Sequence, residues 1–344
     1  MTTTIDVSPQ RPLRVGLLGA ARIAPSAIIA PARRRREVQI AAVASRDMDR
    51  ALAFAAEHGI ARVVPSYEAL VSDPDLDAVY NALPNHAHGR WSIRALQAGK
   101  HVLCEKPVAC NADEARAMLA AASAADRLLM EAFHYPYHPL TARWRELIRE
   151  GAIGDVRRLR AVFRAYLPDT DIRYDYSLGG GALMDLGCYC IHLVRLATGR
   201  EPTVAWARAA EVAAQVDVEL EAELRFSDGV SAEIDCAMNL DREQAQPRYQ
   251  ASLAVEGTHG RLDVDSPTLP HLRHRLRVQG LRQLDEQVHG QTSYDHQLDA
   301  FVDALRTGRP PLTSGEDMVS NMRVIDAAYV AAGLPLRVAP AASS

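Results

Sequence analysis

Residues 13–26 read LRVGLLGAARIAPS. An apolar run, Leu13–Gly19, ends in glycine, passes through small residues and enters a helical pattern over Ile23–Arg34. With Gly19 as the first glycine of the dinucleotide fingerprint, the spacing is Gly19-x-Ala21-x-x-Ala24, with alanine at both later positions. Such a turn lets the backbone approach a pyrophosphate, and the free N–H groups at a helix start attract the anion. Small residues also follow strands merely to permit tight turns, so the motif needs its context: a strand before it and a helix after it. Both patterns are present, and Gly19, Ala21, Arg22 and Ile23 are read as cofactor-binding.

Moving outward, short apolar runs at Val38–Ser45, Arg62–Val64, Ala78–Leu83, His101–Cys104 and Leu128–Phe133 alternate with helical patterns at Asp49–His58, Tyr67–Ser72, His86–Ala98 and Ala112–Ala124. Strand–helix alternation predicts a doubly wound parallel sheet, the Rossmann arrangement, over residues 1–133. After residue 134 the rhythm changes. A helix at Leu140–Arg149 precedes strand-like runs at Val156–Tyr166, Val218–Phe226, Val230–Met238, Gln250–Val255 and Arg261–Val264, with helices at Ala182–Thr198, Tyr294–Leu305 and Glu316–Ala331. The alternation in VDVELEAELRF (216–226) suits an antiparallel sheet with one wetter face. The expected chain is therefore α/β: a dinucleotide domain, then an α+β domain over 134–344 for substrate binding and oligomerisation, built on an open, mainly antiparallel sheet.

A formal net charge of −4 gives no electrostatic reason to expect nucleic acid or an anionic membrane as partner. The one basic run, Arg33–Arg36, reads as a solvated helix end. The stretch MTTTIDVSPQRP has no apolar core, and no segment approaches 18 uninterrupted apolar residues, so a cytoplasmic location is expected. Five cysteines are an odd and sparse set for a chain this long, which argues against a disulfide framework and for a reducing compartment. Cys188 and Cys190, two apart on a helix, point to different faces, and no metal site is expected.

The second strand ends AVASRD, where an acidic residue would bind the adenosine ribose of NAD. Ser45 and Arg46 stand there instead, and a hydroxyl beside a guanidinium suits a 2′-phosphate, which favours NADP. The competing reading takes Asp47 as the ribose acceptor and NAD as cofactor. The chemistry is concentrated elsewhere. Of 39 basic residues only two are lysine, Lys100 and Lys106, both within GKHVLCEKPV (99–108). A compact ammonium does work that a guanidinium cannot, so at least one of them is a candidate for chemistry. Lys100, after the Gly99 helix stop, reads as an exposed surface charge. In GGGALMDLGCYCIH (179–192), a helix would set Asp185 and Tyr189 one turn apart with His192 on the same face. The glycines would bring backbone close to a cofactor. Asp185 also fits a helix-start acid, and His192 reads as a packed or partnered histidine rather than a catalyst.

Taken together, GLLGAARIA, AVASRD, DAVYNALPNHAH, AGKHVLCEKP and GGGALMDLGCYCIH resemble the family of glucose–fructose oxidoreductase, inositol dehydrogenase and the rhizopine-catabolism dehydrogenases, over about residues 13–335. The spacing is nearest the branch holding dimeric dihydrodiol dehydrogenase and NADP-dependent D-xylose dehydrogenase. The resemblance implies that Lys106 lies beside the nicotinamide and the reacting oxygen, that Tyr189 gives and takes the proton, and that Asp185 orients substrate or lysine. It further implies that Leu83, Pro84, Asn85, His88 and Glu105 line the cofactor and that Arg173 and Tyr294 border the substrate. One departure is Pro136, where that branch carries arginine. The implied activity is hydride transfer between NADP and a CH–OH carbon of a sugar-like or cyclic polyol, by a homodimer or homotetramer. The alternatives are a keto-sugar or sugar-nucleotide reductase and, in another class, a ligand-sensing regulator without turnover.

Overall fold

The computed structural model describes residues 11–213, 215–240 and 249–339. The chain forms two compact units: residues up to Phe133 with Tyr294–Val319, and His134–Ser293 with the chain from Ser320 on. Residues 294–319 thus cluster with the first unit, although their helical pattern follows the second sheet in sequence.

In the first unit, β1 (Leu13–Leu18), β2 (Val38–Ala44), β3 (Arg62–Val64), β4 (Ala78–Asn81), β5 (His101–Cys104) and β6 (Leu129–Glu131) form one sheet in the order β3-β2-β1-β4-β5-β6. All five pairings are parallel. Every residue of β4, β5 and β6 is buried, as expected where helices cover both faces and leave strands apolar on each side. The order reverses between β1 and β4, and that switch point is where open α/β sheets bind ligands, beyond the carboxyl ends of the strands. The helix expected over Ile23–Arg34 instead begins as a π turn, Pro25–Ile29, and continues as α-helix over Ala30–Arg33.

Two expectations are corrected in this unit. The Arg33–Arg36 run is not simply solvated. Arg34 donates to both carboxylate oxygens of Asp295, at 2.9 and 2.7 Å, and Arg35 holds Asp295 at 2.7 Å and Asp299 at 2.6 Å. Asp295 is buried, so these arginines neutralise a charge that burial would otherwise make costly. Lys100 is not an exposed charge either. It is 6% exposed, and its ammonium donates to the carbonyls of Asp73 and Leu76 at 2.6 and 2.8 Å.

The second unit is built on β7 (Val156–Ala165), β8 (Thr203–Ala213), β9 (Val216–Arg225), β10 (Ser231–Ala237), β11 (Tyr249–Gly257), β12 (Gly260–Asp265), β13 (Arg275–Gln279) and β14 (Gln283–Glu286). Their order is β14-β13-β12-β11-β7-β10-β9-β8, and only β7 and β10 pair in parallel. Sequence patterning misses β8, β13 and β14. Strand β8 is alanine-rich, which favours helix over strand, and β13 and β14 are short and charged. Leu159, Ala161 and Phe163 of β7 and Ala232, Ile234 and Cys236 of β10 are buried. The helix Cys188–Thr198, buried from Cys188 through Arg195, packs on β7 and β10. The stretch Tyr176–Thr198 is apolar enough by composition to span a membrane, but most of it is buried inside the protein. The other face of the sheet is a grid of ion pairs, including Arg158 with Glu233, Arg164 with Asp235 at 2.7 Å and Arg160 with Asp235 at 3.5 Å.

Candidate active site

On the first unit, the predicted cofactor residues fall at the carboxyl ends of three neighbouring strands: Gly19 after β1, Leu83, Pro84 and Asn85 after β4, and Glu105 and Lys106 after β5. Gly19 takes φ +91°, a conformation that L side chains rarely adopt, and a Cβ there would sit 3.2 Å from Leu83 Cδ2. Glycine therefore keeps this turn tight against the β4 loop. Ala21 is half-buried, and Arg22 and Ile23 are exposed at the same turn.

His88 ties two of these loops together. Its Nε2 lies 2.7 Å from the Leu83 carbonyl and its Nδ1 lies 2.8 Å from the Pro107 carbonyl. Burial pushes its pKa down to about 4, while the two carbonyls pull in the opposite direction. The Lys106–Pro107 peptide is cis. Glu105 accepts from the Tyr80 hydroxyl at 2.5 Å and from the Lys106 amide at 3.3 Å. Tyr294 belongs to this unit as well. Burial first, and then the Glu105 charge, raise its pKa.

The end of β2 distinguishes the two cofactor readings. Asp47 is the N-cap of the helix Met48–His58, its Oδ1 accepting from the Arg50 amide at 3.1 Å, so one oxygen of the carboxylate that an NAD reading would give to the ribose is already engaged. Ser45 is half-buried and Arg46 is exposed. The Tyr67 phenol, its pKa raised by burial, feels both Arg46 and Arg50. Arg50 donates to the Ala20 carbonyl at 2.8 Å, in the turn after β1. Arg50 and Tyr67 were not singled out from sequence. An available signal was Arg50 in the first turn of a helix that begins where an adenosine ribose is expected. The groups present fit an NADP phosphate: a turn held by a glycine at positive φ, a hydroxyl, and two guanidinium groups beside a phenol.

On the second unit, Asp185 lies in a π turn, Leu183–Gly187, and Tyr189 in the α-helix that follows. The π turn replaces the regular i,i+4 stacking expected of a continuous α-helix, and such turns recur at functional sites. Arg173 and Asp185 are brought together: Arg173 Nε is 2.8 Å from Asp185 Oδ2, and its Nη1 is 2.9 Å from Asp171 Oδ1. The Asp185 charge is the main reason the Arg173 pKa is raised. Tyr189 is 7% exposed, with its ring centroid 5.4 Å from Phe163, 6.0 Å from Tyr135 and 6.3 Å from His134. His192 is buried, with Nδ1 2.5 Å from the Tyr135 hydroxyl. The departing segment 134–139 thus supplies two of the rings around Tyr189, and Pro136 is buried within its turn Tyr135–Tyr137.

The glycine run serves an unforeseen purpose. A Cβ on Gly180 would lie 2.3 Å from the Arg173 carbonyl oxygen, and one on Gly181 would lie 2.2 Å from Asp217 Oδ1. These glycines admit internal partners to the turn ahead of Asp185. Cys188 and Cys190 are buried thiols, and among the described residues no group of three metal-ligating side chains converges.

Comparison with known proteins assigns the chain to a family. The model of an oxidoreductase family with an NAD-binding Rossmann fold matches residues 13–133, and that of the GFO/IDH/MocA C-terminal domain matches residues 141–263. D-xylose 1-dehydrogenase (NADP(+)) 2 of Haloferax volcanii is 38% identical over 325 residues, 92% of this chain and 96% of that protein. Trans-1,2-dihydrobenzene-1,2-diol dehydrogenase of Xenopus laevis is 40% identical over 171 residues, 49% of this chain and 52% of that protein. The crystal structure of a mutant 3-ketoreductase from Actinomadura kijaniata, in complex with TDP-benzene and NADP, matches with a TM-score of 0.85 at 30% identity, covering 93% of this chain and 98% of that one. By fold, motifs and coverage, the chain belongs to the GFO/IDH/MocA oxidoreductase family.

Proposed function

We propose that the protein moves hydride between NADP and a CH–OH or C=O carbon of a sugar-like or cyclic polyol, as an aldose or dihydrodiol dehydrogenase does. The observation that carries this is the gathering of Gly19, Leu83–Asn85 and Glu105–Lys106 at the carboxyl ends of β1, β4 and β5, beside an arginine pair suited to a 2′-phosphate. The nicotinamide, when bound, supplies or accepts the hydride. Arg46, Arg50 and Ser45 would hold the phosphate end, and the loops joined by His88 would seat the rest.

The remaining work falls to side chains. Lys106 is assigned to the reacting oxygen, where a compact ammonium offsets developing negative charge. Tyr189 is assigned the proton. Asp185, oriented by Arg173, is assigned to hold a substrate hydroxyl or the lysine. Tyr294 and Arg173 are assigned to the substrate border. Arg173 already faces two carboxylates, so its charge is largely answered within the protein, which suits a neutral polyol better than an acid.

A second reading, a reductase of a nucleotide-linked keto-sugar, is favoured by the match to the 3-ketoreductase. A sensor without turnover has no need for Lys106, Asp185 and Tyr189 together. The proposal includes residues 1–133, joined in the fold by residues 294–319, as cofactor domain, the rest of 134–344 as substrate and oligomerisation domain, a cytoplasmic location consistent with five free thiols, and a homodimer or homotetramer.

A screen of aldoses, polyols, dihydrodiols, keto-sugars and nucleotide-linked keto-sugars, each with NADP(H) and NAD(H), tests this by absorbance at the reduced nicotinamide band. Turnover of an aldose or diol with NADP supports the first reading. Turnover confined to nucleotide-linked ketones supports the second, and sugar binding without any turnover refutes both.

A further inference from the structure

We propose that Arg337 is a positioning residue for turnover: with Asp217 of β9 it forms a buried clamp that fixes the start of the helical segment carrying Asp185 and Tyr189. This rests on the reading of Tyr189 as the proton carrier.

Arg337 and Asp217 side chains are both 0% exposed. The guanidinium donates from Nε to the Gly180 carbonyl at 2.6 Å, from Nη2 to Asp217 Oδ1 at 2.6 Å and from Nη1 to the Pro335 carbonyl at 3.0 Å. Its carbon lies 4.1 Å from the Tyr329 ring centroid and 5.0 Å from that of Tyr176, a stacked setting that suits arginine. The Tyr176 hydroxyl donates to the Leu336 carbonyl at 2.7 Å and holds the same arm from its other side.

Asp217 passes this fixation to the helix. Its Oδ1 also accepts from the Tyr329 hydroxyl at 2.9 Å, and its Oδ2 accepts from the Leu183 amide at 2.7 Å. The first amides of a helix lack intrahelical partners, and Ala182 at the cap position has no side chain to satisfy one. A carboxylate from a distant strand therefore does the capping. Gly181, at φ +135°, leaves the space that the clamp occupies, since a Cβ there would lie 2.8 Å from Arg337 Nη2. Its amide donates to the Arg173 carbonyl at 2.9 Å, so the backbone of the residue that pairs with Asp185 is joined to the same turn.

A buried ion pair is a poor source of net stability, because desolvation offsets most of the attraction, and apolar residues of similar volume would serve the fold as well. What the pair supplies is direction. Three donors in a rigid fork and a carboxylate accepting on both oxygens define one register for the Gly180–Leu183 backbone. Asp185 and Tyr189 follow two and six residues later, and an error of about 1 Å at reacting groups costs on the order of a hundredfold in rate.

The test uses the full-length chain with Arg337→Ala, Arg337→Lys, Tyr329→Phe and Tyr189→Phe. In Arg337→Ala we expect unchanged NADP(H) affinity, kcat reduced by about tenfold or more, and faster amide hydrogen exchange at residues 181–189 while β7 and β10 keep their protection. Added guanidinium ion should restore part of kcat in Arg337→Ala and none in Arg337→Lys, whose ammonium fills the socket without spanning both acceptors. Tyr329→Phe, which removes one hydroxyl and keeps the ring, should shift kcat and local exchange the same way by less. Wild-type kcat and exchange in Arg337→Ala overturn the proposal, as does a uniform loss of protection across the second unit without guanidinium rescue. If Arg337→Ala does not fold, wild-type kcat in Tyr329→Phe overturns it. Wild-type turnover in Tyr189→Phe sinks the reading beneath the proposal instead, and the exchange at residues 181–189 then decides on the clamp by itself.

Discussion

The two lysines should separate cleanly, one by stability and the other by turnover. Lys100 Nζ satisfies the carbonyls of Asp73 and Leu76 from a site 6% exposed, and burial lowers its pKa without removing it from these partners. Lys100→Met keeps much of the stem and leaves two buried acceptors unpaired, at about 1–3 kcal/mol each. Relief from burying the ammonium offsets part of this, so the net loss should be about 2–4 kcal/mol. At roughly 2–4 °C per kcal/mol for a unit of this size, the melting temperature should fall by ~5–15 °C. Lys100→Arg should also destabilise, by about 1–3 kcal/mol, because a larger planar head must enter a socket shaped for an ammonium. Lys106→Met should melt close to wild type, bind NADP(H) and lose roughly a hundredfold or more in turnover. Thermal unfolding followed by circular dichroism, cofactor titration and steady-state rates on the same preparations check all three. Wild-type melting in Lys100→Met, or equal turnover losses at the two lysines, would refute the division of roles.

Arg46→Asp should turn cofactor preference toward NAD by removing a charge-assisted contact of about 1.5–3 kcal/mol, with Asp47 still committed to its cap; equal NADP affinity in mutant and wild type removes Arg46 from the site. Substrate oxidation should rise with pH through one ionisation below the value of about 10 of a free phenol, and Tyr189→Phe should lose both rate and limb. A limb that survives in Tyr189→Phe and vanishes in His192→Ala would move the role to His192. For His88, the folded pKa of about 4 lies below the ~6.5 of a free imidazole, so the unfolded chain binds the extra proton between those values. Stability should therefore fall as pH drops across that window, by up to about 3 kcal/mol, and His88→Gln should flatten the fall. Denaturant titrations at about pH 4.5 and about pH 7 check this, and an unchanged slope in the mutant counts against it.

The inner strands of the first sheet are legible because parallel strands buried on both faces must be nearly continuous apolar runs, as at Ala78–Asn81 and His101–Cys104, whereas the edge strand Arg62–Val64, half-buried at two of its three residues, leaves only a short β-branched run. The second sheet is legible only where one face is wet and the other packed. Its alanine-rich edge strand β8 and the four-residue β14 carry little of that contrast, and β13, which alternates with Leu276 and Val278 buried, is only five residues long, so all three escape the pattern. At the site, the scarcity of lysine points toward Lys106 on chemical grounds alone, whereas the roles of Asp185 and Tyr189 come from resemblance. The same scarcity points equally to Lys100, whose burial depends on carbonyls 24 and 27 residues away that no local pattern announces.

Asp217 shows most clearly why the remainder is hidden. In VDVELEAELRF it shares its parity with Glu219, Glu221 and Glu223, and alternation assigns all four to the wet face. The last three obey, being half-buried or exposed, while Asp217 is fully buried. Alternation describes a strand whose whole length sees one environment on each face. At the start of β9 the polar side meets Gly181, Leu183, Tyr329 and Arg337, all brought from elsewhere in the chain. A lone aspartate there would be expelled by desolvation, which raises its pKa to about 6 even with these partners present. It is retained because an arginine 120 residues later completes it. A pair of that kind has no signature in either segment taken alone, so its detection requires the tertiary structure, and its consequence for Asp185 and Tyr189 follows only once the helix start that it caps has been located.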